Sequence, residues 1–197
     1  MPVGRLPKGD GKAIIFSAPS GAGKSTLVSK LMSSKELNLG FSVSATTRSI
    51  RGDEVHGKSY YFISQSEFDN LIQQNKFVEW EEVYPGLSYG TLCSEVEQLW
   101  TEGLTPVFDV DVIGGQTLKS VFKNQALSIF VMPPSIEALE LRLRQRGTDT
   151  KESITKRINK ASIELKDASS FDLQLVNDDL DKASNEAHNL VSEFLNK

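Results

Sequence analysis

Ala13-Ile-Ile-Phe-Ser17 runs directly into Ala18-Pro-Ser-Gly-Ala-Gly-Lys24-Ser25-Thr26. The first five residues form a compact β-branched run, the composition of a strand buried in a parallel sheet. Glycines at 21 and 23 punctuate the turn that follows, and a helix is expected from Lys24 to about Met32. Strand, glycine-rich turn and helix in this order have the Walker A spacing, with Ala18 where that motif places its first glycine. The arrangement is built for an anion. A backbone curled through Ala18, Pro19, Ser20, Gly21, Ala22 and Gly23 aims successive N–H groups inward, and the helix start adds the positive end of its dipole. Lys24 then reaches the β- and γ-phosphates of a nucleotide. Ser25 offers its hydroxyl to Mg²⁺, whose other positions go to phosphate oxygens and water, and Thr26 completes the motif.

Working outward, short apolar runs alternate with amphipathic segments, which sets the class as α/β. Strands are expected over Phe41–Ala45, Tyr60–Ile63, Phe77–Tyr84, Thr105–Val112, Ala126–Met132 and Leu173–Val176. Ser64 and Glu67 make a capping box ahead of a helix whose apolar face is Phe68, Leu71 and Ile72. From Thr91 onward, Leu92, Val96, Leu99 and Trp100 give a helical stripe that Gly103 ends. Ser135 caps a helix through Leu139 and Leu143, a second helix spans about Lys151–Lys166, and the last follows Asp181. A parallel core flanked by helices, occupying about 12–41, 92–140 and 166–197, is thus interrupted by a separate mixed α/β piece at about 42–91 and a helical lid at about 141–165.

Composition bounds the function. The 197 residues carry 22 Lys and Arg against 26 Asp and Glu, a net charge of −4. Duplex nucleic acid and anionic membranes are gripped by broad basic faces, so neither is an expected partner; a bound anion must sit in a local site. No leader-like apolar segment precedes residue 13, which makes the cytoplasm the expected compartment. A single cysteine, Cys93, forms no disulfide within the chain and reads as a packed small side chain. His56 and His188 have no metal-spaced partners and read as solvated.

A second set of residues gives the loop its context. The run Ser42-Val-Ser44-Ala-Thr-Thr-Arg48-Ser-Ile-Arg51 continues to Tyr60-Tyr-Phe62, and Phe77-Val-Glu79-Trp and Tyr89-Gly-Thr91 follow. With the strand Asp109-Val-Asp111, the arginines 142 to 146, Arg157 and Asn177-Asp-Asp-Leu-Asp, this order resembles the guanylate kinase family over nearly the whole chain. Taken singly, Arg48 and Arg51 read as solvated loop charges, Tyr60 and Tyr89 as ordinary strand residues, and Glu79 as a solvent-facing one. Their joint order carries the resemblance. Ile50 departs from it, standing where a proline is usual, and Thr91 stands where serine is more common.

The resemblance implies transfer of the γ-phosphoryl of ATP to GMP with Mg²⁺, giving GDP and ADP within guanine nucleotide metabolism. It implies that Arg48 and Arg51 as planar donors and Tyr60 and Tyr89 as hydroxyl donors clamp the acceptor phosphate. Glu79 is the expected base reader, because an ionised carboxylate accepts from both N1–H and the 2-amino group of guanine, donors that adenine lacks at those positions. Ser44 and Thr91 would donate to guanine O6, and Asp111 would approach the same nucleotide. Asp109 suits an outer-shell carboxylate of Mg²⁺, although a pair of capping carboxylates at a strand end is the plain alternative for it and Asp111. Arg142, Arg146 and Arg157 match the family's lid arginines, and Asn177 and Asp178 its loop beside adenine. Arg144 lies on another helical face and reads as solvated. Two other functions share these features: a kinase of another nucleoside monophosphate, and a catalytically inactive module of the same fold that binds phosphopeptides.

Overall fold

A computed structural model of the chain describes residues 5–145 and 150–197. In chain order, β1 (Ala13–Ser17) leads to α1 (Lys24–Leu31) and β2 (Leu39–Phe41). Then come β3 (Ala45–Thr46), β4 (Tyr61–Phe62), α2 (Gln65–Gln73), β5 (Phe77–Tyr84) and β6 (Leu87–Leu92). The rest is α3 (Cys93–Thr101), β7 (Thr105–Val110), α4 (Val112–Phe122), β8 (Ala126–Met132), α5 (Ile136–Gln145), α6 (Lys151–Glu164), β9 (Leu173–Val176) and α7 (Leu180–Leu195).

β1 is buried at every position because both of its faces are covered. Ile14 and Phe16 pack with Leu27 of α1, Leu139 of α5 and Ala187 of α7 on one side. Ala13 and Ile15 pack with Val96 of α3 and Leu118 of α4 on the other. The sheet is five-stranded and parallel throughout, in the order β2-β7-β1-β8-β9. A β1 sequence without alternation therefore comes from its central place. The loops at the carboxyl ends of β1 and β7 open on the same edge, where ligands of open parallel sheets bind.

The second sheet is small and mixed, in the order β4-β3-β6-β5. Its inner face closes on α2, with Phe68 stacked on Phe77 at a centroid distance of 4.6 Å. The capping box starts α2 as expected: Ser64 Oγ accepts from Glu67 N–H and Glu67 accepts from Ser64 N–H. Four expectations change, the first being that the strand expected over Thr105–Val112 ends at Val110, with Val112 opening α4. The strand over Phe41–Ala45 is two, since Phe41 ends β2 in the large sheet and Ala45 begins β3 in the small one. The stretch from Leu87 to Leu92 is a strand, paired antiparallel with β5 through a turn at Pro85-Gly86, and the helix begins one residue later, at Cys93. Gly90 makes room in this hairpin, because a Cβ there would lie 2.8 Å from the Phe77 ring. The last helix, expected after Asp181, already begins at Leu180 and is capped by Asp179, which accepts from Lys182 N–H.

Residues ahead of β1 form a strap along α3. Arg5 N–H donates to Phe77 O, the Arg5 side chain pairs with Glu97, and Trp100 Nε1 donates to Lys12 O. Lys12 Nζ caps the far end of α7 through Phe194 O and Leu195 O. Among the described residues, no helix is long and apolar enough to cross a membrane.

Candidate active site

A cleft of about 1120 Å³ separates the two sheets and runs under α5 and α6. Its floor is the loop from Ala18 to Thr26. Gly21 and Gly23 have φ of 96° and 87°, the left-handed conformation that glycine takes without strain. Among described non-glycine residues only Asn38, Asn75 and Lys123 have positive φ, so Ala18 needs no glycine's freedom and its methyl is buried. Two side chains tie the loop down from outside: Asn177 Nδ2 donates to Ala22 O at 2.8 Å, and Arg142 Nη2 donates to Asn177 O at 2.8 Å. A Cβ on Gly23 would strike Asn177 at 2.5 Å. Asn177 is thus a buried brace of the loop, while Asp178, expected beside it at the nucleotide, is exposed and is not among the cleft-lining residues.

Lys24 points into the cleft and forms an ion pair with Asp109 at the end of β7. Burial pulls its ammonium down to about 7, opposed by Asp111 and Glu164, and the Asp109 contact favours the protonated form. Ser25 and Asp109 both line the cleft beside Lys24 and are hard oxygen donors, the kind that accompany phosphate around Mg²⁺. No group of three or more His, Cys, Asp or Glu among the described residues is placed to hold a metal alone.

The opposite wall comes from the small sheet. Arg51, Tyr60 and Tyr89 face the cleft, and Ser44 joins them. Arg48 departs from expectation: only 8% of its side chain is exposed and both of its fork nitrogens bind Glu54 at 2.8 Å. Its Nε donates to Tyr89 Oη at 3.2 Å, and its guanidinium lies 5.2 Å from the Tyr60 ring centroid. The bidentate pair raises Arg48 further above its ordinary range and holds Glu54 down at about 2. Arg48 therefore stands behind the two tyrosines and fixes them. Glu54 is a residue that reading the sequence missed, because nothing in a polar loop distinguishes the acid that folds back by six residues.

Glu79 is 5% exposed and sits on β5 opposite Thr91 of β6. Thr91 Oγ1 donates to Glu79 Oε1 at 2.7 Å. That differs from the expected donation to a base, since a hydroxyl has one proton to give and here the carboxylate has it. Burial raises the Glu79 carboxyl to about 7, with Thr91 pulling it down and Asp111 pushing it up. Asp111 caps α4, accepting from Gly114 N–H at 2.9 Å, and lines the cleft from that position.

α5 and α6 cover the cleft. Arg142 reaches Ala22 O at 3.3 Å, and Arg157 Nη1 donates to Ser20 Oγ at 2.5 Å. Arg146 lies outside the described residues. Arg144 pairs with Glu140 at the surface. Glu81, Lys160 and Glu164 also line the cleft, and their places on β5 and α6 gave no motif to find them by. Elsewhere, Cys93 is buried as expected and His56 is exposed, whereas His188 lies half-buried against Ser34 Oγ at 3.1 Å.

Residues 10–194 match the family model for guanylate kinase. A guanylate kinase of Porphyromonas gingivalis is 50% identical over 186 residues, which is 94% of this chain and 99% of that protein. One from Bacteroides thetaiotaomicron is 51% identical over 187 residues, 95% of this chain and 91% of its own. The crystal structure of guanylate kinase from Anaplasma phagocytophilum has a TM-score of 0.77 at 29% identity, covering 95% of this chain and 87% of that one. Likeness of this extent, in sequence and in fold together, means that the chain belongs to the guanylate kinase family.

Proposed function

We propose that the cleft binds ATP on the phosphate loop and GMP against the small sheet, and transfers the γ-phosphoryl group between them to give ADP and GDP. The observation that carries this reading is the buried carboxylate of Glu79, oriented by Thr91 and facing the cleft that also holds Lys24. Such a group meets guanine's N1–H and 2-amino donors and leaves adenine unmatched. A site built on that pair rejects an analogue lacking it by roughly 10⁴ to 10⁵, since the carboxylate stays unpaired.

The remaining roles follow from placement. Arg51, Tyr60 and Tyr89 hold the acceptor phosphate, with Arg48, its charge balanced by Glu54, fixing the tyrosines from behind. Ser44 serves guanine O6, and Thr91 keeps Glu79 in register. Asp111 approaches the GMP from the end of β7. On the donor side, the loop amides, Lys24 and Thr26 take the phosphates, Asn177 supports the loop, and Asp178 lies beyond it toward adenine. Lys24 leaves Asp109 for the γ-phosphate as ATP enters. Ser25 would hold Mg²⁺ with Asp109 as an outer-shell carboxylate, and the ion would supply charge neutralisation at the phosphates. Arg142 and Arg157 neutralise the transferring group from the side of α5 and α6, and the family resemblance adds Arg146 to them. The acceptor is already an anionic phosphate oxygen, so no general base is needed and the rate comes from positioning and charge.

Incubation with ATP and Mg²⁺ and each of GMP, AMP, CMP and UMP tests the reading. ADP is expected with GMP alone at speed. Equal rates with AMP would point to a kinase of another acceptor, and tight ATP binding without turnover to a phosphopeptide-binding module.

A further inference from the structure

Beside the carboxylate assigned to the base stands another. Glu81 follows Glu79 by two residues on β5, so both side chains leave the same face of the strand, and both line the cleft. Its cross-strand neighbour is Tyr89 of the phosphate clamp, as Thr91 is the neighbour of Glu79. Glu81 Oε2 is buried and has no hydrogen-bond partner. Native structures seldom leave a carboxylate oxygen so placed unless a donor arrives at another stage of the working cycle.

The lid supplies such a donor. Lys160 lies four residues after Lys156, three after Arg157 and four before Glu164 on α6, and all four line the cleft from the other side. Lys160 Nζ stands 3.3 Å from Glu164 on its own helix and 3.9 Å from Asp111 at the start of α4. Its charge is felt at Glu81, whose carboxyl is raised by burial and by Asp111 and drawn back by Lys160. A four-carbon stem lets an ammonium change carboxylates without moving its helix far.

We propose that Glu81 is a positioning residue that receives Lys160 when the lid closes over a bound acceptor nucleotide. This rests on the reading of the cleft as a GMP site. A nucleotide arriving at Asp111 displaces the ammonium held there, Glu81 takes it up, and Glu164 keeps it tethered to α6. The exchange joins the lid to β5 only once the acceptor is in place. Closure in that order shields the transferable phosphoryl group from water until something other than water can receive it. The pair also forms in a cleft from which water has been expelled, where a charge pair is stronger than at an open surface.

A double-mutant cycle tests the pair: Glu81→Gln, Lys160→Met, both together, and Lys160→Arg. Each protein is assayed for GMP and dGMP kinetics at saturating ATP. Each is also melted with and without GMP plus a non-hydrolysable ATP analogue. Glu81→Gln and Lys160→Met should each raise KM for GMP by roughly 3- to 10-fold with kcat little changed, the double variant should be no worse than the poorer single, and Lys160→Arg should stay near wild type. Glu81→Gln should melt as wild type does without nucleotide and gain less from added nucleotides. Two substitutions whose effects multiply would overturn the proposal. So would a Glu81→Gln effect that differs between GMP and dGMP, because that places Glu81 on the ribose instead of on Lys160. A wild-type chain that turns over no GMP is a different result, and removes the site reading itself.

Discussion

A carboxylate proposed to read guanine must be buried and yet ionised, and at Glu79 the two demands oppose each other. Burial raises its carboxyl to about 7, and the Thr91 hydroxyl only partly offsets this. A protonated Glu79 presents an O–H toward donors and cannot accept from both. KM for GMP should therefore fall as pH rises from about 6 to about 8, and Glu79→Gln should flatten that profile while weakening GMP use by 10²-fold or more. Kinetics across that range for both proteins check it, and a wild-type KM that does not change with pH would remove the argument. Stability has the opposite sign. In the nucleotide-free protein the raised value means that the folded state holds this proton more tightly than the unfolded chain does. Its contribution is full below the ordinary value of 4.5 and is lost as pH rises through about 7. Glu79 was legible because its residue type and neighbours recur in order, whereas Glu54 and Glu81 were not, since a partner in space and a missing partner leave no trace in one dimension.

Elements were legible to the extent that they are local. The box at Ser64 and Glu67 is a contract between residues three apart, so it could be read and it stands. Ser64→Ala should lower stability by about 1 kcal/mol without touching the cleft, measurable as a shift in denaturation midpoint at unchanged kcat. β1 was equally plain, an apolar run closed by glycines. β4 was expected one residue longer at each end, whereas β3 was not separated from β2, because a strand of two residues exists only through pairing: Ala45 meets Tyr61 on one side and Gly90 on the other. β6 was hidden for a related reason. Its residues Leu87, Ser88, Tyr89, Gly90, Thr91 and Leu92 have no clean alternation, and Leu92 fits the stripe of the helix that follows. The hairpin with β5 decides the matter, and Pro85-Gly86 was its one local sign.

Across the whole molecule, charge is concentrated rather than abundant. The chain has seven arginines at a net charge of −4, and Arg48, Arg51, Arg142, Arg146 and Arg157 are the five assigned to nucleotide chemistry. Arg142 and Arg157 bring α5 and α6 onto the phosphate loop. Arg157→Ala should lower kcat by roughly 10²- to 10³-fold, as loss of a preorganised charge-stabilising group does, and lower the melting temperature far less, because its bond to Ser20 is open to solvent. Single-turnover rates and melting curves separate the two effects. The docking of α7 has a bearing on how the protein is made. Ala183, Ala187 and Val191 share a core with Ile14 of β1 and Leu27 of α1, and Lys12 holds the end of the same helix. The strand that carries the phosphate loop is translated before this helix, so the core that it shares with α1 and α5 stays incomplete until residues 180–195 have been made. At ordinary elongation speeds that interval is on the order of 10–40 s, during which the nascent chain depends on its surroundings to stay unaggregated.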